Sequence, residues 1–243
     1  MKYFYLYILT LSMFIIGMSY YNTYRLINEG FYDKNNKQTE QNKPIVLLGD
    51  SILKNNAYVS NGESVESILK KKERNGKIVC LAKDQSKIVD VYSQINSIHA
   101  DKNKDDYDDL NTSNTNVFLS AGGNDILSHY VDQNQDITDT SSLKPMFSAY
   151  KHIVTKIQTK LPDAKIFLLD IYYPDNIRYK QYHAIIQEWN NFIYEFADDR
   201  KNNIYKVLKI SSVLTHEDDF AFDIEPSSTG GQKIADLILD STF

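Results

Sequence analysis

Three separated stretches carry side chains suited to acyl-transfer chemistry. Residues 44–54 read PIVLLGDSILK, so an apolar run from Ile45 to Leu48 stops at Gly49-Asp50-Ser51 and leaves a hydroxyl just past a strand end. NVFLS at 116–120 runs into Ala121-Gly122-Gly123-Asn124-Asp125, where glycines permit tight turns and Asn124 carries an amide donor. The last loop, THEDDFAFDIEPSSTGGQ, sets His216, Asp219, Asp223 and Glu225 ahead of the closing helix. A hydroxyl nucleophile, a donor for developing negative charge and a base are the parts such a reaction needs. Each has a plainer reading as well. Gly-Asp-Ser is ordinary turn chemistry, Asn124 and Asp125 can cap the helix that follows, and Glu225 suits the N-terminal dipole of the last helix.

The elements that position these residues are legible from periodicity. Short apolar runs at 45–49, 77–82, 117–121, 165–171 and 204–210, each bounded by polar or turn residues, read as buried parallel strands. Between them, apolar residues recur at spacings of three and four, as in Met146, Phe147, Tyr150, Ile153, Val154, Ile157 and Leu161. Tyr179, Tyr182, Ile185, Ile186, Trp189, Phe192, Ile193 and Phe196 repeat the pattern. Shorter helices run through Val65–Leu69 and Ile88–Ile98, and Thr229-Gly230-Gly231-Gln232 reads as the cap of the last. Five βα units predict an α/β fold, a doubly wound parallel five-stranded sheet with helices on both faces, over residues 44–243. Ligands of such sheets sit beyond the carboxyl ends of the strands, where Ser51 falls.

Residues 1–27 form a different unit. No charge lies between Lys2 and Arg25, and tyrosines flank the apolar stretch at both ends (Tyr3, Tyr5 and Tyr7; Tyr20, Tyr21 and Tyr24). About 20 apolar residues span a bilayer, and aromatic rings favour both headgroup zones. The segment is predicted to be a single-pass N-terminal transmembrane helix, with a cleaved signal peptide as the alternative. Either one puts the following domain on the extracytoplasmic or lumenal side, membrane-bound in the first case and secreted in the second. Residues 28–43, NEGFYDKNNKQTEQNK, read as a polar linker.

Other chemistries are excluded or weak. The net charge of −5, with both signs interspersed, argues against a nucleic-acid partner. The single cysteine, Cys80, allows no internal disulfide and reads as an inert buried thiol. The histidines show no zinc spacing, the acidic stretch at 101–116 fails the calcium-loop template, and no phosphate-binding glycine loop is present. No metal and no organic cofactor is implied.

Gly49-Asp50-Ser51, Gly122-Gly123-Asn124-Asp125 and the Pro-Ser…Gly-Gly segment opening the last helix resemble, in order and spacing, the SGNH (GDSL-type) hydrolases. VCLAKDQSKIVDV resembles that family's second block. The resemblance runs from residue 45 to about residue 240. It implies a flavodoxin-like sheet and a serine esterase, lipase or deacetylase. Its oxyanion hole would comprise the backbone amides of Ser51 and of the second-block position, together with the side chain of Asn124. Two departures stand out. Gln85 occupies the second-block glycine position, and Glu225 stands where the family's Asp-x-x-His block has histidine, with Phe222 in place of its aspartate. The sequence Ile224-Glu225-Pro226-Ser227 resembles a branch of the family carrying Ile-Glu-Pro-Ser there.

Serine needs a base to take its proton. A carboxylate serves if burial raises its pKa, which makes Glu225 the positional candidate. His216, in the same loop, is the rival, with Asp219 or Asp223 to orient it. The expected function is a membrane-tethered ester hydrolase acting on a small-molecule, lipid or glycan ester through Ser51. The alternative is a catalytically inactive module of the same fold that binds a glycan or lipid.

Overall fold

The computed structural model describes residues 43–73, 77–98 and 110–242. The predicted anchor at 1–27 and the linker, apart from Lys43, lie outside them. Among the described residues no helix is long and apolar enough to cross a membrane.

The strands are β1 (Ile45–Gly49), β2 (Ile78–Cys80), β3 (Asn116–Ser120), β4 (Lys165–Leu169) and β5 (Lys206–Leu208), in the order β2-β1-β3-β4-β5. Every neighbouring pair is parallel. The helices are α1 (Val65–Lys72), α2 (Ile88–Ser97), α3 (Gly123–Ile126), α4 (Leu143–Lys160), α5 (His183–Asp198) and α6 (Ser228–Thr242). A two-stranded hairpin, β6 (Phe220–Ala221) with β7 (Glu225–Pro226), precedes α6.

Both faces of the sheet are covered, which is why its strands read as unbroken apolar runs. Val46 and Leu48 of β1, Val117 and Leu119 of β3 and Ile166 and Leu168 of β4 pack with α2, α4 and α5. The alternate residues, Ile45, Leu47, Phe118, Phe167 and Leu169, pack with α1 and α6. Phe118 and Phe167, neighbours in register, stack with ring centroids 4.6 Å apart. The half-buried Cys80 belongs to this second layer, and burial pushes its thiol up to about 12, so it is chemically quiet.

The predicted fold class holds, and the departures lie at the margins. The runs at 77–82 and 204–210 yield only three-residue strands, because each is an edge strand with one pairing neighbour. Helix α5 starts at His183. Tyr179 precedes a 3₁₀ turn, Lys180–Tyr182, and both tyrosines line a cavity, Tyr182 packing against the core as well. The last helix is capped two residues earlier than predicted. Ser227, not Thr229, accepts from Gly230 N through its Oγ (3.2 Å) and from Gly231 N through its carbonyl (2.7 Å). The segment after α3 continues as a π-helical stretch, Leu127–Asp132, which the sequence did not announce.

Candidate active site

The site is built on strand ends. At Gly49 the chain must leave β1 while lying directly against β3. Its φ is +126°, and a Cβ there would come 1.7 Å from the carbonyl oxygen of Ser120, its register partner. Only glycine fits, and the turn then delivers Asp50 and Ser51 beyond the sheet edge.

Peptide groups at a strand end have lost their ladder partners and must be satisfied when buried. Two helix amides do this. Gln94 of α2 accepts from Gly49 N (2.7 Å) and donates to Gly49 O (2.8 Å) and Ser86 Oγ (3.1 Å). Asn190 of α5 accepts from Ile171 N (2.8 Å) and donates to Ile171 O (2.7 Å), just past β4. Both are buried. Neither was singled out as a site residue from sequence. The signal was present, since each is a polar residue in phase with an apolar helix face, three residues after Val91 and four after Ile186 respectively.

Asp50 is buried beneath the nucleophile candidate. Its Oδ1 accepts from Ser120 Oγ (2.7 Å) and from Ile52 N (3.2 Å). Burial dominates and pushes its pKa up to about 7, with the negative charge of Glu225 adding to the effect and the two hydrogen bonds opposing it. An unfolded chain ionises Asp50 near 3.8, whereas the folded one resists until about 7. Between these values the folded state binds the extra proton, so stability declines as pH rises through that window and is level above it. The gap is worth about 4 kcal/mol. Asp50→Asn keeps an acceptor and removes the titration. The variant's stability relative to wild type is expected to grow by up to about 4 kcal/mol between pH 4 and pH 8 in denaturant titrations. A difference that does not change with pH would rule this out.

Asn124, in the first turn of α3, is fixed by donating from Nδ2 to Ser86 O (2.9 Å). Asp125 does cap a helix, though a different one from that expected. Its Oδ2 accepts from Ile88 N (3.0 Å), the first residue of α2. Burial raises the Asp125 carboxyl.

Glu225 is delivered by the β6–β7 hairpin, whose turn holds Phe222 and Asp223 at φ +48° and +74°. Left-handed conformations cost a β-carbon-bearing residue on the order of 1–2 kcal/mol, so neighbouring contacts must hold this turn. Tyr172 OH donates to the carbonyl of Ile224, and Asn55 Nδ2 donates to the carbonyl of Pro226 (3.1 Å), bracketing Glu225 on both sides. The exposed Phe222 ring stands edge-on to Tyr58 at 5.9 Å, and Tyr58 OH donates to Asp84 (2.5 Å). Burial raises the Glu225 carboxyl; the Ser51 hydroxyl offsets part of this, and the Asp84 charge adds to it. Glu225 Oε2 is buried without a hydrogen-bond partner among the described residues.

Ser51, Asn124 and Glu225 line one cavity, together with Asp50. The other predicted residues are placed differently. Gln85 is exposed, does not line the cavity and sits at φ +58°, a conformation that favours glycine. His216 is exposed and away from the cavity, and none of the described histidines lines it. Asp219, the proposed orienter of His216, instead holds the loop backbone. Its Oδ2 accepts from Thr215 N (2.9 Å) and His216 N (3.0 Å), and it pairs with Lys233. Asp223 is exposed and pairs with Arg178 and Asn176.

No protein-family model matches the chain. No curated protein matches it either. Solved structures do. A member of the lipolytic G-D-S-L family from Veillonella parvula superposes with a TM-score of 0.60 at 20% identity, covering 81% of this chain and 96% of that one. A lipase from a goat rumen metagenome gives 0.63 at 15%, covering 82% and 96%. Phospholipase A1 from Streptomyces albidoflavus gives 0.56 at 13%, covering 83% and 99%. The chain therefore has the fold seen in G-D-S-L lipolytic proteins, at identities that speak for the fold alone.

Proposed function

We propose that this protein is a serine ester hydrolase of the SGNH type. Ser51 attacks an acyl carbonyl and Glu225 takes its proton. The tetrahedral oxyanion is held by Asn124 and by the backbone amide of Ser51; Gln85, which lies outside the cavity, takes no part. A carboxamide has two N–H groups, so Asn124 keeps one for the oxyanion while the other binds Ser86. The observation that carries this reading is the single cavity shared by Ser51, Asn124 and Glu225. The likeness to solved lipolytic structures supports it. Residues 1–27 anchor the domain to a membrane with the site on the extracytoplasmic or lumenal side; recovery of the full-length protein in the soluble fraction after cell lysis would refute the anchor.

The test is hydrolysis of p-nitrophenyl acetate by the full-length protein beside Ser51→Ala. Turnover is expected to fall to the uncatalysed background in the variant. One observation favours a second reading, a binding module for a glycan or lipid: the cavity lacks a histidine base among the described residues. Equal rates in wild type and Ser51→Ala would select that reading.

A further inference from the structure

The cavity beside Ser51 has a composition that bears on substrate size. Its polar members, Asp50, Ser51, Asn124 and Glu225, come from the β1 and β3 ends and the β6–β7 hairpin. Most of the remaining lining is apolar or aromatic, including Ile126, Leu127, Val131, Ile171 and Ile186. Its volume is about 60 Å³. Space of that size suits a few heavy atoms rather than a long chain.

One wall is made by α3 and the π-helical stretch that follows it. Gly123, Leu127 and Val131, spaced by four, all line the cavity. Residues four apart share one side of an α-helix and of the wider π-helical turn alike. Leu127 and Val131 are half-buried, with the fully enclosed Tyr130 beside them anchoring the segment to Ser142 and to the carbonyl of Asp139. The wall is therefore tied down rather than free to retreat.

Building on the hydrolase reading above, we infer that this cavity is an acyl pocket for a short, uncharged acyl group of about two to four carbons, and that Leu127 sets its depth. A charged acyl group would lose its hydration against an apolar wall. A long chain has no room within the pocket, because each further methylene must displace packed side chains. Within the pocket each added methylene contributes about fourfold to kcat/KM, and beyond it each one displaces packed side chains and kcat/KM falls.

The experiment compares p-nitrophenyl acetate, butyrate and octanoate with full-length wild type, Leu127→Ala and Leu127→Phe in detergent, with Ser51→Ala as background. Ratios between variants cancel any partition of the longer ester into micelles. Wild type is expected to turn over butyrate at least about tenfold better than octanoate. Leu127→Ala should raise the octanoate-to-butyrate ratio about tenfold, and Leu127→Phe should lower the butyrate-to-acetate ratio while sparing acetate. Either variant moving its ratio as stated supports the pocket even if the other fails to fold. Octanoate equal to or better than butyrate in wild type, or ratios unmoved in both variants, overturns the inference while Ser51-dependent turnover leaves the hydrolase reading standing. Loss of all turnover above Ser51→Ala in wild type overturns both.

Discussion

Glu225→Gln is expected to lower kcat on a short p-nitrophenyl ester by about 10²–10⁴-fold, the usual range for a lost general base. In barrier terms this is about 3–5 kcal/mol. Glutamine has the same length and keeps an acceptor for the Ser51 hydroxyl, but it cannot take the proton. The carbonyls on either side, Ile224 and Pro226, stay held by Tyr172 and Asn55, so the hairpin should keep its position. The pH profile provides the sharper readout. A base works only when deprotonated, so wild-type kcat/KM should rise with pH through the Glu225 pKa. Burial has raised that pKa above the ordinary 4.5, which moves the acid limb to higher pH. Glu225→Gln should lose that limb along with the rate. His216→Ala should leave both within about twofold, because that side chain is exposed and away from the cavity. If the histidine change abolishes turnover and the glutamate change does not, Glu225 is not the base.

Gly49→Ala is expected to be the most damaging single change to stability, at about 4–5 kcal/mol or more. Two effects combine, and their sizes can be separated. The left-handed φ by itself costs about 1–2 kcal/mol. The larger part comes from the added Cβ, which would lie 1.7 Å from the backbone oxygen of Ser120. That oxygen belongs to the adjacent strand, so relief requires spreading β1 from β3 at the centre of the sheet and loosening the Gln94 clamp on Gly49. Gly62 supplies the control, with φ +87° and open space for 4 Å around the position a methyl group would take. Gly62→Ala should cost only the backbone term. With total stability typically about 5–15 kcal/mol, Gly49→Ala is expected to be largely unfolded by circular dichroism where Gly62→Ala retains a cooperative thermal transition. Equal melting temperatures for the two variants would mean that the sheet yields at this edge and that the close approach has little weight.

The layering of the sheet was readable because burial on both faces writes strands as continuous apolar runs and helices as three-and-four spacings, local signals that survive without the fold. The gathering of Ser51, Asn124 and Glu225 was anticipated from the parallel topology, which sends every strand's carboxyl end to one edge. The choice between Glu225 and His216 was not readable. Both lie in one loop, and only the hairpin geometry turns the first into the cavity while Asp219 holds the backbone of the second at the surface. Gln94 and Asn190 were visible only as polar residues in apolar phase; which strand end each would clamp depends on helices packing across the sheet.

The order of amino acids thus determined the five-stranded architecture, the nucleophile candidate past the first strand and the substitution of a carboxylate where histidine was expected. Tertiary structure alone decided the environment of those groups: Asp50 brought to about 7, Glu225 half-buried beside Ser51, and a small apolar cavity walled by π-helical turns. The physical reason is that desolvation and cavity size are sums over many residues distant in the chain, whereas strand and helix periodicity is a property of neighbours.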